Sequence, residues 1–171
     1  MNGNKLKTGV IGLGALGAPV AGLLLKAGHA VAVCDVRSEP VADLQKRGAK
    51  ACDSPAEVAR HSDIVISLVS DGAQTNDIVF GPSGMRDHLQ AGAILAIGST
   101  LGPEPVQHIA QALAFRDVEV LDIPISGGIL AAREGKLSLM AGGKIETLAR
   151  ARAVLDVFAN QITHTGEVGT G

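Results

Sequence analysis

The spacing of the first glycines constrains this chain more than any other feature. Residues 8–17 read TGVIGLGALG, so Gly12, Gly14 and Gly17 form a GxGxxG pattern directly after a short apolar run. The next residues place apolar side chains three or four positions apart, as one face of a helix does. A strand, a glycine turn and a helix in this order predict the phosphate-binding turn of a dinucleotide-binding fold.

Each glycine of this pattern has its own expected role. Gly12 permits a tight turn, Gly14 leaves room for a pyrophosphate, and Gly17 lets the helix pack closely on the strand. The helix N-terminus then offers free N–H groups and a positive dipole end to a phosphate. The predicted cofactor contacts in this turn are Gly12, Leu13, Gly14, Ala15, Leu16 and Gly17.

The same stretch is apolar enough to raise the alternative of a signal peptide or a membrane helix. No charged residue lies between Lys7 and Lys26. However, four glycines and a proline between Gly9 and Pro19 disfavour a continuous helix. The apolar period also changes midway from strand-like to helical, and cleavage would remove the first strand of a regular alternation. We therefore expect neither a cleaved leader nor a membrane span.

Strand-like and helical patterns alternate along the rest of the chain. Strands are predicted at Leu6–Ile11, Ala30–Cys34, Ile64–Val69, Ile94–Ile97, Val118–Leu121 and Leu137–Ala141. Helical patterns cover Leu16–Ala27, Glu39–Arg47, Pro103–Leu113 and Leu148–Phe158. This alternation predicts one α/β domain over residues 1–171, with a Rossmann-like, doubly wound and mainly parallel sheet.

Charge and composition exclude several other classes of protein. Fifteen lysines and arginines against 17 aspartates and glutamates leave a net charge of −2, which gives no electrostatic footprint for nucleic acid. The five histidines lack the spacing of metal motifs, so we expect no metal site. Cys34 and Cys52 are too few for a disulfide framework. They are typical of small buried side chains in a reducing cytosol, and we expect a cytoplasmic protein.

Asp35 ends the second predicted strand, 18 residues after Gly17. A carboxylate at this point accepts hydrogen bonds from the adenosine ribose hydroxyls, whereas a 2′-phosphate would meet its negative charge. We therefore predict Asp35, Val36 and Arg37 as cofactor contacts and NAD as the cofactor. Two alternatives stay open: Arg37 could bind the 2′-phosphate of NADP, and Asp35 could be a solvated turn residue.

Further motifs follow in a fixed order. They are LVSDG at Leu68–Gly72, GSTLGP at Gly98–Pro103, LDIPISGG at Leu121–Gly128, LSLMAGG at Leu137–Gly143 and ITHTGEVGTG at 162–171. Together with the glycine turn, they resemble the β-hydroxyacid dehydrogenase family. That family includes 3-hydroxyisobutyrate dehydrogenase, tartronate semialdehyde reductase and 6-phosphogluconate dehydrogenase. The resemblance implies hydride transfer between NAD(P) and a small β-hydroxyacid.

The resemblance also implies roles for particular residues. Leu68, Val69 and Ser70 match a loop that lies along the cofactor, although Ser70 replaces a proline often found there. Thr100 matches a threonine near the nicotinamide ribose. The substrate's carboxylate or hydroxyl region would bind at the SGG motif, Ser126, Gly127 and Gly128. From the residues alone, that motif is more typical of an ordinary turn.

The last motif carries the main departure from the family pattern. His164, Gly166, Gly169 and Gly171 match its HxGxxGxG stretch, and the family's catalytic lysine comes four residues after the final glycine. The given sequence stops at Gly171, before that lysine and before the family's all-helical second domain, which usually forms the homo-oligomer. We therefore assign no catalytic residue and expect cofactor binding without efficient turnover, as in a fragment of a longer enzyme.

Three other functions remain open at this stage. The chain could be a non-catalytic NAD(P)-binding or sensing module, with cofactor binding but no dehydrogenase activity. It could be an NADP-linked member of the same superfamily, such as an imine reductase. A methyltransferase also uses a glycine-rich turn and an acidic end to the second strand. Binding of S-adenosylmethionine instead of NAD would identify that last class.

Overall fold

A computed structural model describes residues 5–171, in which strands and helices alternate along the chain. The strands are β1 (Thr8–Ile11), β2 (Val31–Cys34), β3 (Lys50–Ala51), β4 (Ile64–Ser67), β5 (Ile94–Ile97), β6 (Glu119–Asp122), β7 (Ile125–Ser126), β8 (Leu137–Gly142) and β9 (Ala159–Gly166). The helices are α1 (Gly17–Lys26), α2 (Ser38–Lys46), α3 (Pro55–Arg60), α4 (Gly72–Phe80), α5 (Pro103–Ala114), α6 (Gly128–Glu134) and α7 (Ile145–Leu155).

All nine strands belong to one sheet, in the order β3-β2-β1-β4-β5-β6-β8-β7, with β9 paired to β8. The six strands from β3 to β6 run parallel to one another. Strand β8 is antiparallel to β6 and β7, and β9 is parallel to β8. The prediction of a mainly parallel sheet is confirmed. The strand order reverses between β1 and β4, and ligands bind at such a crevice in open α/β sheets.

Helices cover both faces of the sheet, which explains why the central strands are buried throughout. One apolar cluster joins the strands to α1, α2, α6 and α7, and Leu24 and Leu155 are fully buried in it. The other cluster joins them to α3, α4 and α5, with Val58 and Leu113 fully buried. Because both faces are covered, central strands such as β4 read as continuous apolar runs.

The structure adds elements that the periodicity of the sequence does not predict. They are β3, α3, α4, β7, α6 and β9. Capping signals were nevertheless present for two of them: Ser54 accepts the N–H of Glu57 ahead of α3, and Asp71 accepts the N–H of Gln74 ahead of α4. The last helix also ends at Leu155, earlier than predicted.

No helix within residues 5–171 combines the length and the apolar character needed to cross a membrane. In the same part of the chain, no three or more histidine, cysteine, aspartate or glutamate side chains gather as ligands for a metal ion.

Candidate functional site

A cavity of about 560 Å³ opens at the carboxyl ends of β1, β2 and β4, where the strand order reverses. Eight of the predicted cofactor residues line it: Gly12, Gly14, Asp35, Val36, Arg37, Leu68, Val69 and Ser70. Three stretches far apart in the sequence therefore meet in one place. A more open groove of about 530 Å³ beside α1, α2 and α6 contains none of the predicted residues.

The glycine turn has the steric properties that the sequence predicts. Gly12 has a φ of +88°, and a Cβ atom there would lie 2.7 Å from the carbonyl carbon and oxygen of Leu68. A Cβ at Gly17 would collide with the carbonyl oxygen of Gly12. At Gly14, in contrast, a Cβ would have no neighbour within 4 Å among residues 5–171. Gly12 and Gly17 thus allow close packing, whereas Gly14 leaves open space in the cavity wall.

Asp35 binds the glycine turn directly. Its Oδ2 accepts the backbone N–H of Leu13 at 2.6 Å, and its Oδ1 accepts the N–H and the Nε of Arg37 at 2.8 and 3.1 Å. Nη2 of Arg37 in turn donates to the carbonyl oxygen of Leu13 at 3.0 Å. The Asp35 side chain is 8% exposed, so it is not a solvated turn residue.

The charge state of Asp35 follows from these contacts. Burial by itself would raise the pKa of Asp35, but the hydrogen bonds from Arg37 and from the Leu13 N–H outweigh it. The pKa therefore lies below the usual value of an aspartate, and the group is an ionised acceptor at neutral pH.

The loop from Leu68 to Ser70 is attached to its neighbour by a buried serine. Ser99, which follows β5, donates from its Oγ to the carbonyl oxygen of Val69 at 2.6 Å. Thr100 is the next residue and is exposed, but it does not line the cavity. Sequence reasoning selected Thr100 and missed Ser99. The only signal for Ser99 was a polar residue two positions after a fully apolar strand.

The remaining predicted cofactor residues lie in the turn without lining the cavity. Leu13 is buried and contributes its backbone N–H and carbonyl groups to Asp35 and Arg37. Ala15 is exposed, Leu16 is half-buried and Gly17 is buried. Their cofactor contacts stay predictions. The cavity also includes residues that sequence reasoning missed: Asp53, Gln74 and Asp77.

The SGG turn lies next to the loop of Leu68. A Cβ at Gly98 would lie 2.6 Å from Leu68 Cδ2 and 3.2 Å from Cδ1 of Ile125, so Gly98 lies between them. Ser126, Gly127 and Gly128 follow Ile125 and are exposed. Both glycines have positive φ angles, and a Cβ at Gly128 would have no neighbour within 4 Å. The turn therefore presents backbone and one hydroxyl group to open space beside the cavity.

The glycine-rich tail after β9 folds onto the ends of β6 and β8. Gly143 donates its N–H to the carbonyl oxygen of Gly166 at 2.8 Å. Nε2 of His164 lies 2.7 Å from the carbonyl oxygen of Gly143. Oδ2 of Asp122 accepts the N–H of Gly171 at 3.1 Å. The sequence alone did not indicate that Asp122 organises this tail.

Asp122 is the least satisfied carboxylate in this region. The residue is 2% exposed, and its Oδ1 has no hydrogen-bond partner within residues 5–171. Burial raises the pKa of Asp122, and the N–H groups of Gly171 and Gly169 offset this only in part.

Comparison with known proteins identifies the family. The sequence model for the NAD binding domain of 6-phosphogluconate dehydrogenase matches residues 7–166. The chain belongs to this family. Its fold and its glycine turn are therefore those of an NAD(P)-binding domain, and the resemblance found in the sequence motifs is confirmed.

Relatives within the family are oxidoreductases by name. The chain is 37% identical to 3-hydroxyisobutyrate dehydrogenase of Pseudomonas aeruginosa over 94% of this chain and 54% of that protein. A crystal structure of 3-hydroxyisobutyrate dehydrogenase from Salmonella typhimurium matches with a TM-score of 0.92 and 30% identity, over 98% of this chain and 59% of that one. The chain thus spans just over half the length of these relatives.

One structural relative was solved with a nicotinamide dinucleotide. It is Psf3 in complex with NADP+ and 2-OPP, with a TM-score of 0.89 and 28% identity, over 95% of this chain and 57% of that one. A structural relative of this chain has thus been solved with the phosphorylated cofactor. Family membership alone does not choose between NAD and NADP for this chain.

Proposed function

We propose that this chain is the cofactor domain of a β-hydroxyacid dehydrogenase and binds NAD(H) in the cavity beside the glycine turn. The observation that carries the proposal is the junction of Asp35 with Leu13. It places an ionised carboxylate next to a glycine turn whose middle glycine, Gly14, faces open space. This combination provides an acceptor for ribose hydroxyls and room for a pyrophosphate.

The dinucleotide would cross the carboxyl edge of the sheet. Asp35 would accept hydrogen bonds from the adenosine ribose, and the pyrophosphate would lie against Gly14 at the start of α1. The nicotinamide half would extend along Leu68–Ser70 towards Thr100. This path leads to the SGG turn, because Gly98 lies between Leu68 and Ile125.

The substrate would be a small β-hydroxyacid bound at the SGG turn. The exposed hydroxyl of Ser126 and the backbone N–H groups of Gly127 and Gly128 are suitable donors for a carboxylate. The bound dinucleotide supplies the hydride chemistry, while the protein positions both reactants.

Proton transfer to the substrate oxygen is the step for which the described residues offer no clear group. The two lysines that flank β8, Lys136 and Lys144, are mostly exposed and pair with Glu134 and Glu119 at 2.9 and 3.0 Å. General acid–base catalysis contributes about 10²–10⁴-fold in rate. We therefore propose that the 171-residue chain alone binds the cofactor with negligible turnover.

The pairing within the cavity supports NAD over NADP. Asp35 offers a negative charge and hydrogen-bond acceptors where a 2′-phosphate would lie. Arg37, the residue that could bind that phosphate, is already hydrogen-bonded to Asp35 and Leu13. A 2′-phosphate would have to break this pair before it gained a cationic partner.

Isothermal titration calorimetry of the purified chain with NAD, NADH, NADP and NADPH tests the proposal. We expect binding of NAD and NADH, with NADP and NADPH at least about tenfold weaker, as loss of a hydrogen-bonded charge pair implies. No binding of any of the four to a chain that is folded by circular dichroism would refute the cofactor site. A steady-state rate with 3-hydroxyisobutyrate near that of a complete relative would refute the proposed lack of turnover.

A further inference from the structure

The cavity wall carries more negatively charged than positively charged side chains. Within residues 5–171, three carboxylates line the cavity, those of Asp35, Asp53 and Asp77, and the one cation in the wall is Arg37. Because Arg37 pairs with Asp35 at 3.1 Å, the charges of these two residues largely compensate each other. Two negative charges remain on the wall, and neither belongs to the glycine turn or to β2.

Asp53 and Asp77 approach the cavity from different elements. Asp53 lies between β3 and α3, and Asp77 lies on α4. Both residues are exposed, and neither forms an ion pair within residues 5–171. The carboxylate of Glu57 lies behind Asp53 and accepts the backbone N–H of Asp53 at 3.0 Å. Lys50 lies 3.6 Å from that glutamate and compensates part of its charge.

The thiol of Cys34 responds to this negative field. Cys34 also lines the cavity, and its pKa is raised to about 11. Burial is the largest cause, and the carboxylates of Asp35, Asp53 and Glu57 each add to it. Of the two uncompensated carboxylates, that of Asp53 therefore acts on the cavity wall itself and not only on the solvent outside.

We propose that Asp53 and Asp77 are specificity-determining residues that disfavour a 2′-phosphate on the bound dinucleotide. This inference rests on the proposed function, because it assumes that the adenosine half of the cofactor occupies this cavity. A ribose hydroxyl is neutral and donates to carboxylates, whereas a phosphate monoester carries about −1.5 to −2 charges. Both dinucleotides carry the anionic pyrophosphate, so each of the two carboxylates repels both of them, but only NADPH adds the repulsion of the 2′-phosphate.

The expected size of this repulsion is modest because both side chains are exposed. Water and salt screen charges beyond about 8 Å at physiological ionic strength. We expect each carboxylate to lower NADPH affinity about two- to fivefold, and both together about five- to twentyfold. The contribution of Asp35 comes in addition, since that group also binds the ribose directly.

Calorimetric titration of NADH and NADPH into three variants tests the inference. The variants are Asp53→Asn, Asp77→Asn and the double substitution, and Asp43→Asn is the matched control. Asp43 is an aspartate on α2 whose side chain is 68% exposed and lies outside the cavity. We expect the double variant to raise NADPH affinity about five- to twentyfold more than NADH affinity. The control should change neither.

A salt titration of the wild-type chain gives a second test that needs no variant. The ratio of NADH to NADPH affinity should fall as NaCl is raised, and the double variant should show a weaker dependence. If NADH binds but the double variant keeps the wild-type ratio, Asp53 and Asp77 do not set specificity, although the proposed function stands. If neither dinucleotide binds the folded wild type, the proposed function and this inference are both overturned.

Discussion

Oδ2 of Asp35 lies 2.6 Å from the backbone nitrogen of Leu13, 22 positions earlier in the chain. This hydrogen bond joins the end of β2 to the glycine turn after β1. The side chain that would select the ribose therefore also holds the loop that would receive the phosphates, so the two parts of the site form together.

Replacing Asp35 by alanine should lower both stability and cofactor affinity. The Leu13 N–H and the Arg37 guanidinium would lose their shared acceptor, at a cost of about 1–3 kcal/mol in the free energy of unfolding. NADH affinity should fall at least about tenfold, since the ribose acceptor is lost too. Urea denaturation and calorimetry measure the two effects. Asp43→Ala is the control, and an unchanged NADH affinity in Asp35→Ala would contradict the assigned role.

Alanine at Gly12 should mainly lower stability, whereas alanine at Gly14 should mainly weaken NADH binding. Gly12→Ala introduces a Cβ 2.7 Å from the Leu68 carbonyl at a positive φ angle, and we expect a loss of about 1–3 kcal/mol in stability. In the described part of the chain, the new methyl group of Gly14→Ala meets no atom within 4 Å, so the free energy of unfolding should change by less than about 1 kcal/mol. This methyl group occupies the space proposed for the pyrophosphate, so NADH binding should weaken at least tenfold, roughly 1.4 kcal/mol.

Equal losses of stability in these two glycine variants would refute the steric difference between them. Unchanged NADH binding in Gly14→Ala would place the pyrophosphate elsewhere. Thermal denaturation monitored by circular dichroism is sufficient for the first comparison, and calorimetry for the second.

Asp122 should give the protein a pH dependence that the Asp122→Asn variant lacks. Because burial raises the pKa of the folded state, ionisation of Asp122 opposes folding. The protonated form of Asp122 favours the folded state. This contribution to stability is complete below the unfolded pKa of about 3.9 and is lost as the pH rises through the folded pKa. The unfolding free energy of Asp122→Asn relative to wild type should therefore increase as the pH rises above about 4.

Urea denaturation of both proteins from about pH 4 to about pH 8 measures this difference. Asparagine retains an oxygen acceptor for the Gly171 N–H, so the comparison isolates the charge. A difference that is constant across this range would show that Asp122 has an ordinary pKa in the folded protein.

Two phenylalanines of the chain should respond very differently to truncation. Phe158 is fully buried, and Phe158→Ala should lower the free energy of unfolding by about 3–5 kcal/mol. Phe115 is 94% exposed, and Phe115→Ala should change it by less than about 0.5 kcal/mol. Similar thermal midpoints for the two variants would contradict the described packing.

Much of the architecture was predictable because its signals are local. The parallel sheet followed from apolar strands separated by amphipathic helices, and the glycine turn followed from spacing alone. The two-residue strands, such as Lys50–Ala51, were not predictable because so short a strand carries no period. Phe158 shows another limit: its apolar side chain continues the helical pattern of α7, but the helix ends at Leu155 and Phe158 is buried beyond it.

The sequence by itself determined which residues could form a dinucleotide site, because glycine spacing and a carboxylate at a strand end are local properties. Only the tertiary structure decided which charges act together. Arg37 pairs with Asp35. Asp53 lines the same cavity from the loop before α3, and Asp77 lines it from α4. The physical reason is that parallel strands bring the loops after them to one edge, so charges distant in sequence share one electrostatic environment.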